Sequence, residues 1–128
     1  MKETHPRRKK LKATAVLCHL CLLALVALAH VGAGAEEKKK QDRLVEKGKT
    51  VYTARCVRCH GADGRGQTTL GQMTEAPDLT DAKWRAGRSR ARMIESVTRG
   101  RGQMPAFSNK LTKDEIAAVV AYVRTLKR

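Results

Sequence analysis

Cys56-Val57-Arg58-Cys59-His60 sets two thiols and an imidazole within five consecutive residues. Two cysteines at this spacing can bond to the two vinyl groups on one side of a porphyrin. The histidine that follows then lies under the ring centre, where its imidazole can bind the iron. This is the C-x-x-C-H pattern of covalent haem attachment. C-x-x-C alone also fits half a zinc site or a redox dithiol. A tetrahedral zinc site needs two more ligands, and beyond residue 35 the chain has no further Cys or His. A redox dithiol of the thioredoxin kind needs a βαβ pattern, which the sequence lacks.

The composition fits one small domain with a cofactor. The chain has 128 residues and a formal net charge of +15, and aromatics make up only 3%. With Tyr52, Trp84, Phe107 and Tyr122 as its large side chains, such a domain buries little core of its own. A covalently held haem supplies the missing apolar volume and stabilises only the folded state. The charge would suit nucleic acid. Export signals, scarce aromatics and the absence of a nucleic-acid-binding motif argue against it.

Residues 1–35 read as an export signal. Arg7, Arg8, Lys9, Lys10 and Lys12 precede an apolar run over 13–31, and Ala33-Gly34-Ala35 has the small-x-small form of a cleavage site. Cleavage is expected after Ala35, with Ala27-Leu28-Ala29 as a second candidate. If uncleaved, 13–31 would serve as a membrane anchor. In either case residues 36–128 lie outside the cytoplasm, giving a periplasmic location. Cys18-His19-Leu20-Cys21 lacks the final His of the haem motif and sits inside the apolar run, where thiols act as small hydrophobes.

Beyond the signal the patterning is helical, and the fold class is all-α. Residues 36–43 are of mixed charge and read as a frayed lead-in. Leu44, Val45, Gly48, Val51 and Tyr52 then recur on one side of a helix over 41–54, with Gly48 suited to close approach of another helix. Glycines at 61, 64, 66 and 71 make 61–76 a loop. Thr80 or Asp81 caps a short helix carrying Trp84, and Ser89 caps a helix over 90–99 that ends at Gly100. Thr112-Lys113-Asp114-Glu115 is a capping box that opens the last helix. Its stripe is Ile116, Val119, Val120, Val123 and Leu126, with Lys127 and Arg128 at its end.

A haem site with one histidine needs a sixth ligand. Pro105 pushes Met104 into extended backbone, so its thioether can point inward from a loop. Met73 is the competing thioether, and Met93 falls on a helix face as core.

Taken in order, residues 44–128 resemble a class I c-type cytochrome. The resemblance rests on Gly48 and Tyr52, Cys56, Cys59 and His60, the Gly61–Gly66 turn, Pro77-Asp78-Leu79, Gly102-Gln103-Met104-Pro105-Ala106-Phe107, and a last helix with Tyr122. It implies three to five short helices around one haem c, bound through Cys56 and Cys59. It implies His60 and Met104 as axial ligands, and a Pro77 carbonyl that accepts the His60 Nδ1 proton. It also implies that the first and last helices cross at Gly48 and Tyr122. Trp84 is expected to pack rather than to bind a haem propionate.

The expected function is one-electron carriage between redox partner proteins, by a protein that is not itself an enzyme. The alternative is a haem-bearing electron-entry subunit of a dehydrogenase or oxidase complex. A haem enzyme or gas sensor would need a labile Met104. Arg85, Arg88 and Arg92 are expected to share a face, with Arg99 and Arg101 beyond and Arg55 and Arg58 beside the thiols, to steer acidic docking surfaces.

Overall fold

The computed structural model describes residues 34–127. Most of the expected export segment, with the apolar run 13–31, lies outside them. The chain divides into two units, Met1–Lys40 and Gln41–Arg128. Of the first, the described residues 34–40 are helical and exposed. The second holds the core.

Among the described residues there are six helical segments and no strand. They are α1 (34–55), α2 (Val57–His60), α3 (Thr69–Met73), α4 (Ala82–Ala86), α5 (Arg90–Arg99) and α6 (Lys113–Val123). Residues 36–43 continue α1 instead of fraying, and every one is exposed. Their helix draws nothing from burial; Glu, Lys and Gln are strong helix formers, which suffices there.

The core begins where α1 meets α6. A Cβ on Gly48 would overlap the Ala118 carbonyl and come within 2.9 Å of Tyr122 Cβ, so only glycine lets the two backbones approach this closely. One turn on, Val51 and Tyr52 are 8% and 1% exposed and pack with Leu79 and Val119. The Tyr52 and Tyr122 rings lie 5.2 Å apart at 56°, a tilted arrangement that aromatic pairs favour. The Tyr52 hydroxyl donates to the Gly61 carbonyl at 2.8 Å. Burial, then the charges of Cys56, Tyr122 and Asp63, hold this phenol protonated far above its ordinary range.

The expected caps form. Asp81 accepts from Trp84 N, Ser89 from Arg92 N, and Thr112 and Glu115 cap each other reciprocally. α6 stops at Val123, so Leu126 reaches the core from beyond the helix, and the residue at its C-terminal cap is Arg124 rather than Lys127. α3 forms inside the stretch expected to be loop.

Gly48→Ala is expected to destabilise the folded unit by about 3 kcal/mol, because the added methyl has no space and the obstacle is backbone. Tyr52→Phe removes one of the two hydrogen bonds to the Gly61 carbonyl, the other coming from Gly64 N at 3.2 Å, and is expected to cost about 1 kcal/mol. Urea unfolding of the holoprotein measures both.

Candidate functional site

α2 is a single turn that starts where α1 stops. His60 N donates to the Cys56 carbonyl at 2.9 Å and Gly61 N to Val57 at 2.9 Å. Positions i, i+3 and i+4 share one face of a helical turn, so Cys56, Cys59 and His60 line the same cavity. Its volume is about 530 Å³, within the range of small-molecule and cofactor sites. α5 contributes Met93 and Val97, and α6 contributes Val119, Val120 and Val123. Met104 and Pro77 also line it.

Met104 is presented by a tight turn. Arg101 N donates to the Met104 carbonyl and Met104 N to the Arg101 carbonyl, both at 3.0 Å, in the one β-bridge among the described residues. Phe107 N then donates to Val97 O at 3.0 Å, tying the chain after Met104 to α5. Met73 is 71% exposed and does not line the cavity. Met93 is both buried core and cavity wall.

The loop after His60 is clamped under α2. Gly66, at φ 70°, donates its N–H to the His60 carbonyl at 2.8 Å. A Cβ at Gly66 would overlap the Ala76 carbonyl. The Thr68 hydroxyl sits 2.7 Å from the Arg58 carbonyl and 3.0 Å from that of Cys59, and accepts from Gly71 N at 2.8 Å. It caps α3 and braces the haem motif at once. Leu79 N donates to Gly64 O at 2.8 Å, and Ala76 N to Gly71 O at 2.8 Å, which fixes Pro77 between them.

Burial lowers the His60 pKa, and the Pro77 carbonyl, which favours the protonated ring, opposes that shift. The imidazole is therefore neutral at neutral pH, as metal ligation requires. Nδ1 is buried without a partner at strict hydrogen-bond geometry. The Pro77 carbonyl is the polar group that raises the basicity of the ring. Burial, then the neighbouring Cys59, pushes the Cys56 thiol up to about 11. A thioether at this position has no proton to lose.

Of the basic residues expected to share a face, Arg88 and Arg92 line one groove with Arg99 and Arg101 beyond, and Arg85 does not. Arg85 Nη1 donates to the Leu126 carbonyl at 2.7 Å, so this half-buried side chain fastens α4 to the C-terminal segment instead of facing a partner. Trp84 packs partly buried against the core and lines the cavity. Arg55, Arg88 and Arg101 also line it. Thr68 went unnoticed in the sequence, although Thr-Thr-Leu-Gly-Gln reads as a capped turn once the glycines are not taken to exclude helix.

The residues present fit a haem: a mainly apolar cavity of suitable size, two thiols and an imidazole on one turn, a thioether from a pinned loop, and guanidinium groups for an acidic edge. An all-α unit with this site is a c-type cytochrome domain, and its cofactor is haem c. The family described as cytochrome c oxidase, cbb3-type, subunit III matches residues 43–123, and the chain belongs to it. It is 39% identical over 82 residues to the Cbb3-type cytochrome c oxidase subunit CcoP of Azospirillum brasilense, covering 63% of this chain and 28% of that protein. With the CcoP subunit of Cereibacter sphaeroides the identity is 42% over 84 residues, covering 65% and 28%. The chain thus spans under a third of the length of these relatives. Among solved structures, the KustC0563 c-type cytochrome matches with TM-score 0.60 and 39% identity, covering 63% of this chain and 98% of that one. Cytochrome CL of Methylophaga aminisulfidivorans matches with TM-score 0.55 and 26% identity, covering 67% and 55%.

Thr68→Ala removes a cap and a brace together and is expected to cost about 2 kcal/mol. Unfolding of the holoprotein in denaturant, followed by haem absorbance, measures the loss.

Proposed function

We propose that this chain is a haem-bearing electron-transfer unit that admits single electrons to an oxidase-type complex. The observation that carries the reading is the convergence of Cys56, Cys59, His60 and Met104 on one apolar cavity. Cys56 and Cys59 would hold haem c covalently, and His60 and Met104 would ligate its iron. When bound, haem c supplies a reversible one-electron iron couple.

Each residue has a stated task. Two thioether links prevent loss of the cofactor. His60, with its Nδ1 proton toward the Pro77 carbonyl, leaves the Nε2 lone pair for the iron. The Arg101–Met104 bridge holds the thioether ligand in place, and thioether ligation raises the potential relative to a second histidine. With His60 and Met104 both serving as ligands, the iron would have no site for peroxide or CO, which favours carriage over turnover. Arg55, on the cavity wall, would supply positive charge for the acidic edge of the cofactor.

The relatives named as oxidase subunits support a role within a complex over a free shuttle. A free carrier is the second reading, favoured by KustC0563, nearly all of whose chain is matched. Residues 1–35 would export the unit to the periplasm, or 13–31 would anchor it. Among the described residues no helix is long and apolar enough to cross a membrane.

Met104→His is expected to abolish the thioether-to-ferric charge-transfer band and lower the midpoint potential by on the order of 100 mV or more. Survival of the band would remove Met104 from the ligand set. Co-purification of the full chain with a larger haem–copper complex would favour the electron-entry role. A monomer reoxidised only by exchangeable partners would favour the shuttle.

A further inference from the structure

Charge is distributed unevenly along the folded unit. Residues 41–81 carry six basic and six acidic side chains, whereas residues 82–110 carry eight basic and one acidic. The second stretch comprises α4, α5 and the Met104 turn. Five of its cations, Lys83, Arg88, Arg92, Arg99 and Arg101, line a single groove of about 730 Å³ along α4 and α5.

Helical spacing explains the convergence. Arg92, Ser96 and Arg99 fall at i, i+4 and i+7 on one face of α5, while Met93 and Val97, one position further round, line the haem cavity. The lone carboxylate, Glu95, also lines the groove; its Oε1 lies 3.8 Å from Arg99 Nη1 and both side chains are exposed. Water screens this pair, and Lys83, Arg88, Arg92 and Arg101 still bring four positive charges to the groove.

Two features separate this groove from ordinary solubilising charge. The Arg88 guanidinium carbon stands 5.4 Å from the centre of the Trp84 ring; stacking of this kind holds a cation in place before any partner arrives. Trp84, Arg88, Ser96 and Arg101 line both the groove and the haem cavity. The two spaces therefore share a wall.

We propose that this groove is the docking surface for an acidic segment of a one-electron redox protein, which exchanges its electron with the haem across the wall of Trp84 and Arg88. One electron leaves the reduced partner and converts ferric to ferrous iron, or returns by the same route; no bond breaks and no proton moves. A concave groove admits a projecting acidic segment, while a flat lipid surface would meet only its rim. The proposal rests on the electron-transfer reading above and adds the partner's chemistry and its place of contact.

The test uses the holoprotein and poly-glutamate as the acidic probe, at low ionic strength. The wild type is expected to bind it with amide shifts concentrated in residues 83–101, and binding should fall as salt rises. The double variant Lys83→Glu with Arg92→Glu is expected to bind at least about tenfold more weakly. It should also be oxidised by hexacyanoferrate(III) at least about threefold more slowly than the charge-matched pair Lys49→Glu with Arg124→Glu. Those four residues are exposed and outside the haem cavity, so circular dichroism should show all variants folded.

Equal losses in the two double variants would reduce the effect to net charge and overturn the proposal. So would amide shifts gathered around Arg55 and Arg58. Binding to phosphatidylglycerol vesicles through the groove, without binding to poly-glutamate, would overturn it in favour of a lipid surface. The visible spectrum of the same samples separates the two claims. Wild-type protein that cannot be reduced and reoxidised overturns the electron-transfer reading itself, while an intact spectrum with no groove specificity overturns the docking surface alone.

Discussion

The contact of Gly48 with the Ala118 carbonyl is the constraint on which the rest of the structure depends. Without a side chain there, the backbones of α1 and α6 come close enough for Tyr52 to stack beside Tyr122 and for Val51 to reach the core. α2 follows α1 with only Cys56 between them, so the position of the two thiols and the imidazole is inherited from that helix contact. The same crossing brings Val119 and Val120 to the cavity. One missing methyl group thus links core packing to the cofactor site.

The motif is then held from below. Gly66, Thr68 and the Tyr52 hydroxyl each satisfy a carbonyl within or just after α2. Backbone groups at the end of a one-turn helix lack intrahelical partners, and here the following loop and Tyr52 of α1 supply them. The same loop carries Pro77 to the buried side of His60, so the element that braces the ligand also tunes its basicity. Burial lowers the pKa of His60 while the Pro77 carbonyl opposes the shift. The outcome is a neutral imidazole ready for a metal.

The two ends of the unit divide their work by charge. The neutral first half builds attachment, and the basic second half supplies Met104 and a cationic groove that shares a wall with the cavity. This arrangement suits the proposed exchange of electrons with another protein. It applies equally to a unit built into a complex and to one that diffuses between partners.

Much of this was legible in the sequence because the signals are local. C-x-x-C-H, the capping box at Thr112, the N-caps at Asp81 and Ser89, and the Met-Pro pair depend on neighbours a few residues away, and the helices and cavity follow them. Even Gly48 was legible, since a glycine on an otherwise apolar helix face marks close approach. What the tertiary structure decided are the contacts between residues far apart in sequence. Arg85 looked like surface charge until the Leu126 carbonyl, 41 residues later, was found to hold it. Met73 and Met104 were both available thioethers, and only folding left one exposed and the other lining the cavity. Thr68 gained its role from carbonyls nine and ten residues back, across a loop whose glycines masked α3. Sequence periodicity records which face of an element is buried. Which polar groups then meet depends on the path of the chain between elements, and no local pattern encodes that path.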